Sequence, residues 1–461
     1  MNQKDIQNIV KKQKDFFLTN QTKAYSFRIA QLKKLKLAIE NNEELLLKAL
    51  YDDLKKSKFE AYGGEIGFVM AELDYTIKKL KKWMKDKKVS TPILHQPGTS
   101  YIINEPLGCV LIIGPWNYPF QLLFAPLIGA IAAGNTVILK SSELAPKSSA
   151  AMYKIISETF KEEYVTLIEG EIQEATYLLQ ENFDYIFFTG STNVGKIVME
   201  AAAKNLTPLT LELGGKSPCI VDKATNLKVT ARRIVWGKFF NAGQTCIAPD
   251  YLIVQKDVKI DLIRLIKKEI ENFYGENPQE SKDYPRIINE RHFDRLVSYF
   301  DDKKIAMGGV IDKNDKYIAP TIMDNVNWDD NVMQDEIFGP ILPVLEYGNI
   351  KEAIDIINAH PKPLALYLFS NSKLVEERVL ENTSSGGVCI NDTLSHITTN
   401  YLPFGGVGNS GMGDYHGIYS FQTFSHRKSV MKKNISIDPP IRYAPYKLSV
   451  KNLKKMLKFI G

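Results

Sequence analysis

The chain has 461 residues, of which 44% are hydrophobic and 24% are charged. This length predicts two or three lobes, each large enough for its own core, and the composition is ordinary for a globular enzyme. The net charge of +6 is modest, and lysines are interleaved with acidic residues along helix-like stretches. We therefore interpret the basic residues as solvated helix surfaces, and no nucleic-acid partner is expected.

Cysteine and histidine spacing gives no sign of a metal site. The six histidines lack HExxH spacing, and no two cysteines form a CxxC pair, so no bound metal is predicted. Scattered free thiols suit a reducing compartment. The four cysteines are Cys109, Cys219, Cys246 and Cys389.

The N-terminus lacks the apolar core of a signal peptide, so a cytoplasmic location is expected. Residues 109–139 are apolar and long enough to resemble a membrane span. Pro115, Pro119 and Pro126 interrupt that stretch, however, which favours two strands, a loop and a buried helix.

From residue 20 to residue 213 the pattern predicts helices followed by alternating strands and helices. Residues 20–86 are typical of amphipathic helices that form a peripheral layer. Short buried strands separated by helices then predict a parallel, doubly wound sheet. The predicted strands are Cys109–Ile113, Thr136–Leu139, Tyr185–Phe188 and Leu209–Leu213, with helices at Gln121–Ala133, after Pro146 and after Ser191.

After Gly214 and Gly215 the alternation begins again, which predicts a second α/β lobe. Its predicted strands are Cys219–Val221, Tyr251–Val254, Leu364–Phe369 and Gly387–Ile390, with helices at Lys259–Asn272 and Lys351–Asn358. The segment beyond Pro440 differs, because it carries six basic residues and no acidic residue.

Two clusters are candidates for nucleotide binding. The run from Phe188 to Gly195 follows a strand and opens a helix, where glycine and free N–H groups favour a diphosphate. Its GxxxxG spacing matches neither GxGxxG nor a P-loop, so a tight packing turn is an equal alternative. Lys140 and Glu143 follow a strand, where a ligand crevice forms and ribose hydroxyls can be held. The alternative there is a surface loop with a helix N-cap.

Three residues are candidates for catalysis. Cys246 lies in a polar, turn-like segment that suits a nucleophilic thiol, whereas Cys109, Cys219 and Cys389 lie in apolar runs typical of core thiols. Glu212 ends an apolar strand, which indicates either a buried salt bridge or a general base. Asn117 lies in a proline-flanked loop, where a rigid amide can stabilise an oxyanion.

Taken together and in this order, these clusters resemble the aldehyde dehydrogenase superfamily over nearly the whole chain. Longer motifs indicate its class 3 branch, which acts on fatty and aromatic aldehydes. These motifs are Glu336-Ile337-Phe338-Gly339-Pro340, Leu402-Pro403-Phe404-Gly405-Gly406-Val407-Gly408 and Thr423-Phe424-Ser425-His426-Arg427.

The resemblance implies NAD(P)⁺-dependent oxidation of an aldehyde to a carboxylic acid, with NAD⁺ as cofactor and NADP⁺ as an alternative. Cys246 would be the nucleophile that carries a thioester, Asn117 with the Cys246 main-chain N–H would form the oxyanion hole, and Glu212 would activate water. Cofactor contacts are implied for seven residues: Lys140 and Glu143 at the adenosine ribose, Gly190, Ser191 and Gly195 at the diphosphate, and Glu336 and Phe338 at the nicotinamide ribose.

The sequence departs from the family pattern at two positions. Ser141 replaces a usual proline, which leaves both ribose ligands in place. Asn409 replaces a frequent histidine, with an effect expected on the substrate channel at most. There are two rival interpretations. One is a CoA-acylating relative, but Glu212 disfavours it, because attack by a thiol needs no water-activating base. The other is an inactive scaffold, but the presence of Cys246, Asn117 and Glu212 disfavours it.

We further predict a cofactor domain at 1–213, a catalytic domain at 214–425, and an oligomerisation strand with a basic tail at 426–461. Residues 92–105 would belong to the oligomerisation extension. The resemblance implies a homodimer, with Ser100–Asn104 and Ser429–Ser436 as the joining strands. In the tail, Val450, Leu453, Leu457 and Ile460 share one helical face, which indicates either a weak contact with a membrane surface or a helix docked on its own subunit.

Overall fold

The computed structural model describes residues 1–438 and 440–458, so Ile460 of the predicted tail face lies outside the described residues. The helices are α1 Gln3–Leu18, α2 Tyr25–Asn41, α3 Glu43–Leu54, α4 Lys58–Ala61, α5 Gly67–Trp83, α6 Gln121–Ala133, α7 Pro146–Thr159, α8 Ile172–Gln180, α9 Thr192–Lys204, α10 Leu227–Phe239, α11 Lys259–Tyr274, α12 Glu290–Val297, α13 Asn331–Gln334, α14 Ile350–Asn358, α15 Lys373–Asn382, α16 Ile418–Thr423 and α17 Val450–Lys458. The strands are β1 Lys87–Val89, β2 Gly98–Pro106, β3 Cys109–Ile113, β4 Thr136–Lys140, β5 Val165–Ile168, β6 Tyr185–Thr189, β7 Leu209–Glu212, β8 Pro218–Val221, β9 Tyr251–Gln255, β10 Ile305–Met307, β11 Ile311–Asp312, β12 Tyr317–Ile318, β13 Thr321–Met323, β14 Ile341–Tyr347, β15 Ala365–Phe369, β16 Gly387–Ile390, β17 Gly411–Met412 and β18 Ser425–Lys433.

The first lobe is built on a six-stranded sheet in the order β17-β7-β6-β3-β4-β5. All pairs from β7 to β5 are parallel, and Ile113 of β3 is level with both Lys140 and Phe188. The carboxyl ends of these strands therefore lie along one edge, where ligands bind in such sheets. The predicted doubly wound sheet is confirmed.

Helix α6 explains the apolar stretch that resembles a membrane span. All of its residues are buried, including Pro126, because the helix lies between strands β3 and β4 on one side and helices α2, α5 and α16 on the other. The stretch is thus core of the first lobe. Within the described residues, no helix has the length and apolar character needed to cross a membrane.

The second lobe contains a seven-stranded sheet in the order β10-β13-β14-β9-β8-β15-β16. Its strands are parallel except for β10, which pairs antiparallel with β13. This agrees with the predicted second α/β lobe. Strand β16 forms one edge, and its four residues are only half-buried, including Cys389. The expectation of a core thiol is therefore wrong for Cys389.

A third sheet, in the order β1-β2-β18, is antiparallel and largely exposed. It contains the two predicted joining strands, because Ser100 is paired with Met431 and Asn104 with Arg427. The predicted domain ranges remain a prediction. One additional feature is that Gly411–Met412 pairs with β7, so the chain returns to the first sheet late in its course.

The basic tail projects from the body of the molecule. Helix α17 contains no buried residue, and Val450 is 67% exposed. A helix docked on its own subunit would bury its apolar face, so the docked alternative does not fit the described part of the tail.

Candidate active site

The loop that leads to Cys246 has an unusual backbone. Asn241, Ala242 and Gly243 all have positive φ angles, of 54°, 51° and 74°. Left-handed conformations are costly for residues with a side chain, and they concentrate at sites where surrounding structure holds them for function. These three residues follow helix α10 and change the direction of the chain. Cys246, which is half-buried, then lies at the wall of a cavity.

Side-chain hydrogen bonds hold this loop. The Gln244 side chain donates to the carbonyl oxygens of Asn241, at 3.1 Å, and Arg286, at 3.0 Å, and accepts from the Ile288 N–H at 3.0 Å. The Asn241 main-chain N–H donates to Glu60 at 2.7 Å. Gln244 is not among the residues that line the cavity, and its three hydrogen bonds support the loop.

Asn117 reaches the same loop from the first lobe. Its Nδ2 donates to the Gln244 carbonyl oxygen at 3.0 Å, and its residue is 3% exposed. An amide nitrogen carries two hydrogens, so one remains for another acceptor. The Gln244 carbonyl oxygen can accept a hydrogen bond only from the NH2 group of the Asn117 amide. The NH2 end of the Asn117 side chain therefore faces the Cys246 loop.

A buried charged group beneath Asn117 belongs to the peripheral helices. Lys56 and Glu65 form an ion pair of 2.5 Å with both side chains fully buried. The Lys56 ammonium also donates to the Asn117 carbonyl oxygen at 2.9 Å, and Glu65 accepts from the Phe120 N–H at 2.9 Å. The helical layer thereby fixes the Asn117 loop. The sequence offered no local signal for this role, since charged residues are common throughout that layer.

Glu212 lies at the end of β7 and is 2% exposed. Within the described residues, neither oxygen of its carboxylate has a hydrogen-bond partner. The salt-bridge alternative therefore does not apply. Burial, and secondarily the charge of Asp414, raise the pKa of Glu212 well above its usual range, which makes the carboxylate a stronger base once its proton is lost.

Glu336 approaches the backbone between the two lobes. A Cβ atom on Gly214 would lie only 2.1 Å from its Oε2, so glycine is required for the carboxylate to lie here. Burial raises the pKa of Glu336 to about 8. Burial also raises the pKa of Cys246 to about 12, with further contributions from the negative charges of Glu336 and Glu212.

The ends of β4 and β5 hold Lys140 away from solvent. Its ammonium donates to the carbonyl oxygens of Ser141 and Gly170, each at 2.6 Å, and burial lowers its pKa. Ser141, which replaces the usual proline, shares a 2.6 Å hydrogen bond with Ser149, so a polar contact orders the loop here. Glu143 is exposed.

The N-cap alternative for this loop is wrong. Helix α7 has Ala145 at its N-cap position and no capping side chain within the loop. The carboxylate of Asp53, from helix α3, accepts instead from the Ser148 N–H at 2.7 Å. The side chains of the loop that carries Lys140 and Glu143 therefore do not cap helix α7.

The glycine segment forms a close turn between β6 and α9. A Cβ atom on Gly190 would lie 2.5 Å from the Phe188 ring, and one on Gly195 would lie 2.7 Å from Leu213, so the packing alternative is met. The Ser191 side chain accepts from the Val194 N–H at 3.4 Å and caps α9. The turn also leaves the N-terminus of a 13-residue helix at the ligand edge of the sheet, which suits an anion.

Two predicted residues take positions that their sequence motifs did not reveal. Phe338 has a φ of 51°. Its ring meets the ring of Trp116, the residue before Asn117, edge-on at 5.4 Å.

Asn409 does not line the cavity at Cys246. Its carbonyl oxygen accepts from Thr192 at the start of α9, at 3.3 Å, so the expected link to the substrate channel is wrong.

An apolar cavity of about 110 Å³ adjoins Cys246. Cys246 and Thr245 lie at its wall together with Gln121 and Thr398. The remaining wall is mostly aromatic and aliphatic, and includes Phe68, Tyr118, Trp236, Phe240, Leu394 and Ile397. Such a wall favours an apolar ligand with one polar end.

Comparisons with known proteins identify the family of the chain. The model of the aldehyde dehydrogenase family matches residues 1–430. The chain is similar to 4,4'-diaponeurosporen-aldehyde dehydrogenase of Staphylococcus aureus, at 52% identity over 447 residues covering 96% of this chain and 97% of that protein. It is also similar to aldehyde dehydrogenase family 3 member A2 of Macaca fascicularis, at 47% identity over 438 residues covering 95% and 90%.

A solved structure gives the same result. The substrate-bound state of Staphylococcus aureus AldH has a TM-score of 0.97 and 51% identity, and the match covers 98% of this chain and 99% of that one. The similarity to a family 3 member confirms the class 3 resemblance, and relatives use NAD⁺ or NADP⁺. The chain therefore belongs to the aldehyde dehydrogenase family and is an NAD(P)⁺-dependent enzyme that oxidises aldehydes to carboxylic acids.

Proposed function

We propose that Cys246 is the nucleophile and that Glu212 is the base that activates water. The observation that carries this assignment is the position of Cys246 at the wall of an apolar cavity, at the end of a strained loop that Asn117 contacts directly. The remaining Asn117 hydrogen and the Cys246 main-chain N–H are the donors for the oxyanion. A preorganised donor pair in a water-poor site stabilises that charge far better than water does.

The steps at these residues follow from their chemistry. The Cys246 sulfur attacks the aldehyde carbon and loses its proton, because the raised pKa of the thiol leaves little free thiolate at neutral pH. The proton passes to the ionised fraction of a neighbouring carboxyl group, since burial also raises the pKa of these acids and leaves most of them protonated at neutral pH. After oxidation the acyl group is a thioester on Cys246. Glu212, once deprotonated, removes a proton from water, and the hydroxide releases the acid.

The residues at the edge of the first sheet fit a dinucleotide. Gly190 and Gly195 allow a close turn that a Cβ atom would block, and the Thr189 hydroxyl beside them is buried without a partner in the described residues. We assign Gly190, Ser191 and Gly195 to the diphosphate, Lys140 and Glu143 to the adenosine ribose, and Glu336 and Phe338 to the nicotinamide ribose. When bound, the nicotinamide supplies the hydride acceptor, a function that no side chain offers.

The substrate class follows from the cavity wall. We propose medium- or long-chain aliphatic or aromatic aldehydes, because the wall contains eight aromatic or aliphatic side chains. We also propose a cytoplasmic homodimer. The exposed sheet β1-β2-β18 and the half-buried edge strand β16 support it, since edge strands offer unpaired main-chain groups to a second chain.

The substitutions Cys246→Ala and Glu212→Gln test these roles. Cys246→Ala should form no NADH, because no covalent adduct can form. Glu212→Gln should form up to one equivalent of NADH and then stall, since oxidation precedes hydrolysis and an amide cannot accept the proton of water.

Stopped-flow absorbance and intact mass spectrometry measure both results. The stalled Glu212→Gln enzyme should carry an acyl adduct on the peptide that contains Cys246. Normal turnover by Glu212→Gln would assign the base to another group, with Glu336 next. Loss of even the first equivalent would show that Glu212 also activates Cys246.

A further inference from the structure

One acidic side chain of the peripheral helices contacts the strained loop before Cys246. Glu60 lies on helix α4, is 7% exposed, and accepts from the Asn241 main-chain N–H at 2.7 Å. The other side-chain hydrogen bonds to residues 241–244 come from the amides of Asn117, Asn241 and Gln244. Among the residues that the structure describes, Glu60 is thus the only acid that is hydrogen-bonded to this segment.

The bond from Glu60 is made where the strained backbone begins. Asn241 and Ala242 both have left-handed backbone angles, which residues with a side chain keep only where their surroundings hold them. A hydrogen bond to an ionised carboxylate is about twice as strong as one between neutral groups. The ionised form of Glu60 is therefore well suited to hold Asn241 in this conformation.

Asn241 connects both proposed donors of the reaction site. Its Nδ2 donates to the Asn117 carbonyl oxygen at 2.9 Å and to the Gln244 carbonyl oxygen at 3.1 Å. The Asn117 Nδ2 donates to the same Gln244 oxygen at 3.0 Å. A shift of Asn241 would therefore displace the Cys246 loop and the Asn117 amide together. Glu60 itself does not line the cavity, so it can act only through these contacts.

The surroundings of Glu60 make its charge depend on pH near neutrality. Burial raises the pKa of Glu60 to about 7; the charges of Glu65 and Asp283 raise it as well, whereas Lys56 and the Asn241 N–H lower it. Three tyrosines also face this group, and burial raises the pKa of each: Tyr118, Tyr274 and Tyr284. Glu60 therefore changes from a neutral acid to a carboxylate as the pH rises through about 7.

We infer that Glu60 is a positioning residue for the Cys246 loop, and that its ionised form holds the reactive loop conformation more firmly than its neutral form does. The inference rests on the proposed roles of Cys246 and Asn117. Because Glu60 does not line the cavity, its effect belongs to the rate of the first turnover and not to the KM for the aldehyde.

The variant Glu60→Gln tests this role, because it keeps the size of the side chain and an acceptor oxygen but cannot ionise. Stopped-flow absorbance measures the rate of the first NADH equivalent with NAD⁺ and hexanal from pH 6 to pH 9. The ratio of the wild-type rate to the variant rate removes the titration of groups that both proteins share. We expect a ratio near one at pH 6 that rises to about fivefold above pH 8, with its midpoint near pH 7.

The KM for hexanal should stay within about twofold of the wild-type value at each pH. A ratio of rates that does not change with pH would overturn the inference. Glu158→Gln, at an exposed position of α7, is the matched control and should give a ratio of one throughout.

The variant Glu60→Ala adds a measurement that does not depend on activity. It leaves the Asn241 N–H without its acceptor, so the peptide that contains Asn241 should take up deuterium faster than in wild type, and the first turnover should be about tenfold slower or more above pH 8. Unchanged deuterium uptake in this peptide would overturn the positioning role. Failure of the proposed function is separate, because it would appear as normal turnover in Cys246→Ala.

Discussion

At the scale of single residues, the environment of Cys246 holds its thiol neutral. Burial removes the group from water, and the carboxylates of Glu336 and Glu212 raise its pKa further, to about 12. Burial raises the pKa of Glu336 to about 8, so the negatively charged fraction of this group grows as the pH rises through that value. A neutral thiol reacts more slowly with oxidants and alkylating agents than a thiolate does, so we expect slow labelling of the proposed nucleophile in the resting enzyme.

The substitution Glu336→Gln tests this account. It removes one negative charge beside Cys246 and should lower the apparent pKa of the thiol, so that alkylation begins at lower pH. Each unit of decrease raises the thiolate fraction about tenfold at a fixed pH below the pKa. The rate of iodoacetamide labelling between pH 7 and pH 10, followed by mass spectrometry of the Cys246 peptide, measures the shift; Glu377→Gln, an exposed carboxylate on α15, is the control. An unchanged pH profile in Glu336→Gln would contradict the electrostatic contribution.

Sequence reasoning proposed Cys246, Asn117 and Glu212 as catalytic residues but left their local alternatives open. The choice between a salt bridge and a free carboxylate at Glu212 depends on which side chains the fold brings near, and those come from distant segments. The supporting contacts of Lys56, Glu60 and Glu65 were beyond prediction for the same reason. Lys56 reaches Asn117 across 61 positions of the chain, and no periodic pattern encodes such a contact.

At the scale of elements, the peripheral helical layer supports the Asn117 loop through the buried ion pair of Lys56 and Glu65. We expect Lys56→Met to destabilise the protein by about 3–5 kcal/mol, because it leaves the Glu65 carboxylate buried without its cation. Lys58→Met is the matched control. Its ion pair with Glu44 is 72% and 76% exposed, so its loss should cost about 0–1 kcal/mol.

Urea denaturation measures both variants. The double variant Lys56→Met with Glu65→Leu should recover part of the loss, since it removes the unpaired charge along with its partner. Equal stability of Lys56→Met and Lys58→Met would contradict the role of the buried pair.

The elements themselves were predictable where their pattern was strong. Cys109–Ile113 and Gln121–Ala133 have the bounds that the sequence predicted, because a strand and a helix that are almost completely buried are almost uniformly apolar. Strand β5 was missed, since it has only four residues and Thr166 interrupts its apolar run. Strand β14 was missed because it contains Pro343, which usually indicates an edge. Pro343 pairs with β13, and the pairing with β9 begins only at Val344.

At the scale of the whole molecule, the homodimer is the first prediction. Light scattering at micromolar concentration should give twice the chain mass of 52.2 kDa. The reason is that β16 and β18 are both edge strands with exposed or half-buried residues. A second chain can pair with the free main-chain groups of such strands and cover their side chains. A mass of one chain would contradict the prediction.

The basic tail gives a second prediction at this scale. We propose that helix α17 contacts an anionic lipid surface, because Val450, Leu453 and Leu457 are exposed beside lysines and no acidic residue follows Pro440. The full chain should sediment with liposomes that contain phosphatidylglycerol, and less so as salt increases. A chain that ends at Asp438 is the comparison, and neutral liposomes are the control. Equal sedimentation of the two chains would contradict a lipid contact.

The late return of the chain to the first sheet has a mechanical consequence. Strand β17 lies outside β7, where Gly411 is paired with Glu212 itself. The second lobe is thus an insertion in the first lobe: the chain leaves the first sheet after β7 and returns to it at β17. Two chain connections between the lobes therefore lie beside the proposed base. Two connections constrain the relative movement of the lobes more than a single connection would, so we expect Glu212, which is paired with one of them, to be displaced little by such movement.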